Sequence, residues 1–201
     1  VVYTNNSVRT SKGYTPRLIS MRNVKQANID KKDVGMLAVV DLTQPQEVLD
    51  RIHNYLVELQ AVFNDSNMYV SFIYSDSITH TIPATQYVLD HYLTSDNKGH
   101  ALLYRSIVEK YDEMLSHQGP WAKAKHMALL IFSDSELYDE NTDKPIDPNH
   151  YIYEEEIAMK SSNPSPNLIV CYASMKLEGQ ASNEQDNLIL KHLCEQTKGL
   201  F

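Results

Sequence analysis

Three stretches of almost continuous apolar residues predict the central strands of the fold. They are VGMLAVVD (residues 34–41), HMALLIFSD (residues 126–134) and NLIVCYAS (residues 167–174). Continuous apolar runs of this length are typical of strands that are buried on both faces of a sheet. A fourth strand is predicted over MYVSFIY (residues 68–74). The first two of these runs each end in an acidic residue, which places a carboxylate at the end of a buried strand.

Between the strands, apolar residues recur every three or four positions, which is the spacing of one face of an amphipathic helix. This spacing predicts helices over residues 45–63, 83–93 and 100–115. A short acidic helix is predicted over residues 153–159, and a last helix is expected to end near residue 199. Proline at position 45 is compatible with the first helical turn, because an N–H group there has no partner within the helix.

The alternating ITHTI (residues 78–82) follows a Ser-Asp-Ser turn and predicts the second strand of a hairpin, while residues 199–201 are expected to begin an edge strand. Strands that alternate with helices predict a doubly wound α/β domain with a mainly parallel sheet, helices on both faces and one antiparallel edge strand. This domain is expected to cover residues 34–201. The polar residues 1–33 are interpreted as an N-terminal arm or linker with a candidate edge strand from Arg17 onward.

Composition limits the classes of partner. Lys and Arg total 18 against 26 Asp and Glu, so the net charge is −8. This charge repels duplex nucleic acid and anionic membranes, and we expect neither as a partner, although a local patch of opposite sign is compatible with it. No apolar run approaches the ~20 residues that span a bilayer, so no direct membrane insertion is expected. The chain begins with Val1 rather than Met, which suggests a processed chain or a segment of a longer protein. Cys171 and Cys194 are too few for a disulfide framework.

Oxygen-bearing side chains are predicted at the carboxyl ends of the buried strands. Asp41, Asp134 and Ser174 follow three of the apolar runs, and Thr43 lies two residues beyond the first. Ligands of doubly wound sheets bind at this edge, where the strand order reverses. Two carboxylates and a hydroxyl would form a cradle for a hard divalent cation such as Mg²⁺ or Mn²⁺.

The order of these motifs resembles that of the von Willebrand factor type A domains. The first strand and its loop stand where that family has Asp-x-Ser-x-Ser, the start of its metal-ion-dependent adhesion site. The resemblance covers roughly residues 34–201 and implies the same doubly wound fold. The segments that carry it are VVDLTQP (39–45), FIYSDSITHTI (72–82), KGHALLYRSI (98–107), LLIFSDSE (129–136) and ILKHLCEQTKGLF (189–201).

Carried over to this chain, the resemblance implies a degenerate adhesion site. Asp41 and Asp134 match the family's two acids, and Thr43 keeps a hydroxyl in place of its first Ser. Pro45 replaces the second Ser and starts a helix, and His100 replaces a Thr oxygen with an imidazole that suits transition metals better. The interpretation we favour is therefore that the two acids cap helices and orient loops rather than hold a metal.

The polar segment of residues 136–150 is long for a connecting loop, which is common where loops contact partners. Its acidic residues lack the spacing of a calcium-binding EF-hand, so a solvated loop is the better interpretation. Tyr138 and Tyr151 are candidate partner-binding residues, because exposed aromatic side chains often anchor interfaces. The alternative is that they pack this loop against the sheet.

The sequence thus favours a non-enzymatic protein-interaction or scaffold domain that binds a protein partner or other domains of a larger protein, with no cofactor. Similar modules in bacterial envelope and secretion machinery favour an extracytoplasmic location, by analogy only. The alternative function is a metal-assisted hydrolase or phosphatase-like enzyme that uses Asp41, Thr43, His100 and Asp134. A purely structural domain is a third hypothesis. Neither a G-x-S-x-G nucleophile elbow nor a phosphate-binding P-loop is present.

Overall fold

The structure, a computed structural model, divides the chain into two compact units, Val1–Asp30 and Lys31–Phe201. The predicted boundary between residues 33 and 34 stays a prediction. The residues that the structure describes are 3–7, 17–21, 30–62, 67–90, 93–96, 101, 103–133, 138–139, 144–145, 167–173 and 188–200.

The first unit contains a two-stranded antiparallel sheet. Strand β1 (Tyr3–Ser7) pairs with β2 (Arg17–Met21), with Tyr3 opposite Met21 and Ser7 opposite Arg17. The second strand falls where a candidate edge strand was expected. The first was not predicted, because its Thr-Asn-Asn-Ser sequence lacks the apolar alternation by which strands are detected.

The second unit is built around a five-stranded sheet with the order β5-β4-β3-β6-β9. The pairs β3–β4, β3–β6 and β6–β9 are parallel, and β4–β5 is antiparallel. This mainly parallel sheet with one antiparallel edge strand confirms the predicted fold class. A separate two-stranded sheet pairs β7 with β8. The strands are β3 (Val34–Asp41), β4 (Asn67–Ile73), β5 (Ile82–Pro83), β6 (His126–Phe132), β7 (Tyr138–Asp139), β8 (Lys144–Pro145) and β9 (Leu168–Ala173).

Four α-helices accompany the sheet in the described part of the chain. The predicted first helix is present almost over its full length, whereas the second ends earlier and the third begins later than the apolar spacing indicated. The predicted acidic helix over residues 153–159 lies outside the described residues. None of the described helices combines the length and apolar character that crossing a membrane requires. The helices are α1 (Gln46–Val62), α2 (Ala84–Asp90), α3 (Leu103–Leu115) and α4 (Leu188–Gln196).

Alternate residues of β3 enter two separate hydrophobic cores, one on each face of the sheet. Leu37 and Val39 pack with α3 and α4, whereas Ala38 and Val40 pack with α1 and α2. Successive strand residues point to opposite faces, so an uninterrupted apolar strand supplies both cores. The predicted placement of helices on both faces is confirmed.

The end of the chain after α4 covers the outer edge of β9. Val170 N donates to Thr197 Oγ1 (2.9 Å), and Tyr172 N donates to Leu200 O (2.8 Å). The helix ends with Gly199 N donating to Cys194 O (2.8 Å) and with Lys198 at a φ of 60°, the usual left-handed helix terminus. The edge strand expected from residue 199 is absent from the described residues. The N–H groups of β9 instead donate hydrogen bonds to Thr197 and Leu200, in the segment that follows α4.

Both cysteines are free thiols. Cys194 lies in α4 and is buried in the core, and burial raises the pKa of its thiol to about 12. A thiol with so high a pKa stays protonated and behaves as a small apolar side chain.

A buried lysine lies near the end of α3 and is paired with a carboxylate one turn further on. Lys110 Nζ donates to Glu113 Oε2 (2.8 Å), and the Lys110 side chain is 4% exposed. Thr81 Oγ1 (2.9 Å) and Trp121 Nε1 (3.3 Å) both donate to Glu113 Oε1. The carboxylate therefore compensates a buried ammonium group and joins α3 to the segments before β5 and β6.

Replacing Glu113 with Gln is expected to lower the free energy of unfolding by about 2 kcal/mol at neutral pH, because the Lys110 ammonium stays buried without its counter-charge. Burial alone would raise the pKa of Glu113, but hydrogen bonds from Lys110 and Thr81 and the charge of Lys110 hold that pKa below its ordinary value of 4.5. A lowered pKa stabilises the fold above the unfolded-state value and is lost as pH falls through the folded-state value. Urea unfolding between neutral and acidic pH should show the difference from the wild type shrinking below pH 4.5.

The matched control is Glu47→Gln in α1. Glu47 accepts a hydrogen bond from Arg51 at 2.7 Å, but the two side chains are 63% and 52% exposed. Solvent screens such a pair, so we expect a change of about 0.5 kcal/mol or less. Equal effects of the two substitutions, or a Glu113→Gln effect that persists unchanged in acid, would show that the buried pair has no special role.

Candidate functional site at the carboxyl ends of the strands

Asp41 is the last residue of β3 and is fully buried. Its Oδ1 accepts hydrogen bonds from Thr43 N (2.8 Å) and from Thr43 Oγ1 (2.7 Å). Its Oδ2 accepts a hydrogen bond from Ser133 Oγ (2.6 Å). A buried carboxylate is costly unless it is hydrogen-bonded, and here both oxygens accept bonds from hydroxyl or backbone donors. The structure thus brings together Asp41 and Thr43, two of the predicted site residues.

Ser133, which was not predicted, links the Asp41 carboxylate to the ends of β6 and β9. It follows β6 directly, and its N–H donates to Ala173 O at the end of β9 (3.3 Å). Val40 is paired with Phe132 in the parallel register, so the next positions along the two strands are those of Asp41 and Ser133. The signal in the sequence that points to Ser133 is its place directly after an apolar run, but the adjacent Asp134 shares that signal.

Gln44 is buried in the loop after β3, and its role was not predicted from the sequence. Its Nε2 donates to Asp41 O (2.8 Å) and to Phe132 O (3.2 Å), which links the ends of β3 and β6. The residue is 1% exposed, and its buried Oε1 has no hydrogen-bond partner among the residues that the structure describes. A polar residue in a loop gives no signal of burial in the sequence, and here the Gln44 amide bridges the ends of two strands.

Pro45 lies at the start of α1, as predicted. Its carbonyl oxygen accepts hydrogen bonds from Val48 N (3.0 Å) and Leu49 N (3.1 Å), which are the first bonds of the helix. A proline supplies no hydroxyl, so this position cannot provide the second serine ligand of an adhesion site.

The segment of residues 93–96 crosses the ends of β3 and β4. Asp96 N donates to Leu42 O (2.7 Å). Ser75 donates from both its N–H and its hydroxyl to Asp96 Oδ2, at 3.0 and 3.1 Å. Asp96 therefore connects the loop after β3 to the loop after β4. The sequence does not reveal this role, because Leu42 and Ser75 are far from Asp96 along the chain.

The same segment is bonded to the start of α1. Ser95 Oγ donates to Gln44 O (2.7 Å), and Ser95 N donates to Gln46 Oε1 (3.1 Å). Gln46 Nε2 in turn donates to Leu93 O (2.7 Å). Three loops at the carboxyl edge thus form one hydrogen-bonded layer.

The remaining predicted site residues lie where the structure says little. Asp134, His100 and Tyr151 are outside the described residues, and only the backbone of Tyr138 is described, paired with Pro145 in the sheet of β7 and β8. The roles of these four residues stay predictions. Trp121, in contrast, is fully buried, and its ring packs edge-on against Tyr69 with centroids 5.1 Å apart, so it belongs to the core.

The donors in the described part of this edge are too few for Mg²⁺ or Mn²⁺, which take about six oxygen ligands in proteins. Among the described residues, no three His, Cys, Asp or Glu side chains are grouped so that they could hold a metal ion. At the end of β3 these residues provide one carboxylate, Asp41, whose two oxygens already accept hydrogen bonds from Thr43 and Ser133. The described part of the site therefore does not form a metal centre by itself, and what it does chemically is to hold loops in place.

The similarities to known proteins lie among solved structures. No family model matches the chain, and no curated protein matches it. Thirty-three chains of solved structures are similar to it. One of them is the TFIIH p34 N-terminal domain, with a TM-score of 0.48 and 16% sequence identity over 87% of this chain and 92% of that chain. A structural similarity of this degree carries no argument about function.

Proposed function

We propose that this chain is a non-enzymatic protein-interaction domain of the von Willebrand factor type A kind, and that it contacts its protein partner through the loops at the carboxyl ends of β3 and β4. The observation that carries the proposal is the hydrogen-bonded layer in which Asp41, Ser95 and Asp96 hold these loops together. Buried and half-buried polar side chains order the surface there.

An ordered loop surface favours binding, because loops that are already fixed lose little conformational entropy when a partner binds. Between the ordered side chains, the layer exposes Pro45, Asp76, Ser77 and Thr94 to solvent. These side chains come from three loops that are distant in sequence. Loops that are held in place by a rigid sheet commonly form binding sites in proteins.

Two further features support the von Willebrand factor type A assignment. The first strand of the sheet ends in an acid that is followed two residues later by a hydroxyl, Asp41 and Thr43. The sheet places that strand at its centre and has a single antiparallel edge strand. The adhesion site is degenerate in the proposal, because Pro45 starts α1 where the family has a serine. The predicted bacterial envelope or secretion setting has no support from the comparisons and forms no part of it.

Arginine substitutions at exposed positions of the carboxyl edge test the proposal. Thr94→Arg and Ser77→Arg place a long charged side chain in the loop surface without touching the core. We expect each substitution to reduce the amount of partner recovered by at least about fivefold. The interface would have to bury an arginine that has no opposite charge on the partner, and its bulk would clash with the partner surface. The measurement is affinity capture with the full chain, quantified by mass spectrometry.

Ala122→Arg is the matched control, since Ala122 is also exposed but lies before β6, at the opposite end of the strands. Thermal unfolding should show all three variants folded. Partners that are retained by the carboxyl-edge variants, or that are lost equally with Ala122→Arg, would argue against this surface. Turnover of a substrate that disappears in Asp41→Ala would instead favour the metal-assisted hydrolase alternative.

A further inference from the structure

Helix α1 is covered on one flank and exposed on the other. On the covered flank, His53 Nδ1 lies 2.6 Å from the hydroxyl oxygen of Tyr87 in α2. On the exposed flank, the ring of Tyr55 packs edge-on against Phe132 of β6, with the ring centroids 5.7 Å apart. Tyr55 is still 47% exposed, so a partner can reach it.

An apolar stripe follows the exposed flank of α1 toward its last turn. Tyr55, Leu59 and Val62 are four and three residues apart, a spacing that places them on one side of the helix. Leu59 packs partly against the core, whereas Val62 is 58% exposed. Single exposed apolar side chains are common on protein surfaces, but a group of them marks an interaction site.

The part of the sheet next to this stripe is also apolar and partly exposed. The parallel register pairs Leu130 of β6 with Cys171 of β9, and it pairs Ala128 with Ile169. Alternate residues of a strand share a face, so these side chains lie on the same side of the sheet as Phe132 and α1. Ile169 is 40% exposed, and Leu130 and Cys171 are partly exposed. We call the area formed by the stripe and these strands the α1–β9 surface, and its residues are Tyr55, Leu59, Val62, Leu130, Ile169 and Cys171.

The α1–β9 surface has the width of one helix. Neighbouring strands of a sheet lie about 4.8 Å apart, so β9 is about 10 Å from β3, the strand on which α1 packs. Packed helices lie about 8 to 10 Å apart, and a helix over β6 and β9 would therefore lie directly beside α1. The described helices cover other parts of the sheet, because α2 packs against β4, and α3 and α4 pack on the opposite face.

The charges around the α1–β9 surface indicate the character of its occupant. Glu58 lies between Tyr55 and Val62 along the exposed flank and is itself exposed. No ion pair joins Glu58 to another described residue, whereas the nearby Arg51 is paired with Glu47 at 2.7 Å. Residues 31–201 contain thirteen Lys and Arg against twenty-five Asp and Glu, for a net charge of −12. Basic side chains beside the apolar stripe of an occupant would therefore complement this unit.

We propose that the α1–β9 surface binds an amphipathic helix of a protein partner, whose apolar stripe packs on the surface and whose Lys or Arg side chains meet Glu58. An amphipathic helix that lays its apolar face on an apolar surface is a recurring mode of recognition. A second copy of the chain is a poorer occupant, because a symmetric contact would bring the same acidic side chains of two units together. The surface is distinct from the loops at the carboxyl ends of the strands, so this second contact is independent of the carboxyl-edge contact.

The test uses the full chain and a synthetic peptide of Leu and Lys that forms an amphipathic helix. Cys171 reports occupancy of the surface, because it is partly exposed there, whereas Cys194 is buried in the core. We expect a saturating concentration of the peptide to slow modification of Cys171 by a thiol reagent at least about tenfold. A peptide of the same composition with its Leu positions scrambled should give no protection, because it has no apolar stripe.

Substitutions test the apolar contact and the charge separately. Ile169→Asp and Val62→Asp are each expected to weaken peptide binding about tenfold in fluorescence anisotropy, although each adds an acid that would attract Lys. Leu200→Asp, the matched control at an exposed leucine outside the surface, should leave the affinity within about twofold. Glu58→Lys is expected to weaken binding about fivefold. Its control, Glu109→Lys at an exposed position of α3 on the opposite face, should change the affinity by less than about twofold.

Several outcomes would overturn this assignment. They are absence of Cys171 protection by the helical peptide, equal weakening of binding by Leu200→Asp or Glu109→Lys, and a wild-type dimer that Val62→Asp dissociates, which would identify a second copy as the occupant. A Cys171 thiol that does not react in the unbound protein would also contradict it, because a segment of the chain itself would then cover the surface. Should an apolar variant fail to fold in thermal unfolding, Glu58→Lys still tests the surface.

The two proposed contacts fail separately. Thr94→Arg and Ser77→Arg should bind the helical peptide as the wild type does, because both lie in loops outside the α1–β9 surface. Loss of peptide binding in these two variants would show that the peptide occupies the carboxyl edge instead.

Discussion

Gly199→Ala is expected to lower the free energy of unfolding by about 4 kcal/mol, the largest single-methyl effect that we predict for this protein. A Cβ atom at this position would lie 1.6 Å from Val170 O, a backbone atom of β9 that cannot rotate away. The segment after α4 would have to move off the strand. The hydrogen bonds from Val170 N to Thr197 and from Tyr172 N to Leu200 would be lost with it. Urea unfolding monitored by circular dichroism measures the change.

Gly119→Ala separates this steric effect from the loss of glycine flexibility. Gly119 has a φ of +53°, but apart from its chain neighbours no atom of the described residues lies within 4 Å of the position that its Cβ would take. The expected cost is that of a left-handed alanine, about 1 to 2 kcal/mol. If Gly199→Ala were no more destabilising than Gly119→Ala, the chain after α4 would not pack against β9 as described.

Asp41→Ala is expected to destabilise the fold by about 3 kcal/mol, because Ser133 Oγ and Thr43 N would lose their acceptor in a buried environment. Ser133 is fully buried and cannot turn to bulk water. We expect Thr43→Val, which removes only one donor to Asp41, to cost about 1 kcal/mol. Thermal unfolding of both variants measures these values, and an Asp41→Ala midpoint close to that of the wild type would contradict the structural role.

The same thermal experiment tests the metal site. Ions that bind only the folded state raise the unfolding midpoint in proportion to the logarithm of their concentration. We expect Mg²⁺ and Mn²⁺ to leave the wild-type midpoint at its value in chelator. A rise that is present in the wild type and absent in Asp41→Ala would show a functional adhesion site and renew the case for metal-assisted chemistry.

The fold was predictable from local pattern to a large degree. The strand from Val34 to Asp41 was read correctly because burial on both faces leaves a continuous apolar run, and α1 because burial on one face leaves a period near 3.6. The same reasoning failed for Tyr3–Ser7, which pairs through its backbone and carries no apolar pattern. It also placed a strand at Gly199, where the chain ends a helix against β9 instead.

The candidate site was predictable only in part. Asp41 and Thr43 were found because they are neighbours in sequence at the end of an obvious strand, and local geometry alone brings them together. Ser133 and Asp96 were missed, although each makes hydrogen bonds at the same edge. Their partners are far away along the chain, and a polar residue that follows an apolar run looks the same in the sequence whether it is buried or solvated.

The sequence by itself determined the buried central strands and the first helix of the second unit, and that β3 ends in a carboxylate. These features were predictable because burial determines the spacing of apolar residues along a strand or a helix. Only the tertiary structure decided which polar groups meet there. The parallel register puts Ser133 beside Asp41, and the crossing segment of residues 93–96 brings Asp96 to Ser75. These contacts depend on strand order and register, which are set by the packing of the whole sheet, and no local pattern encodes them.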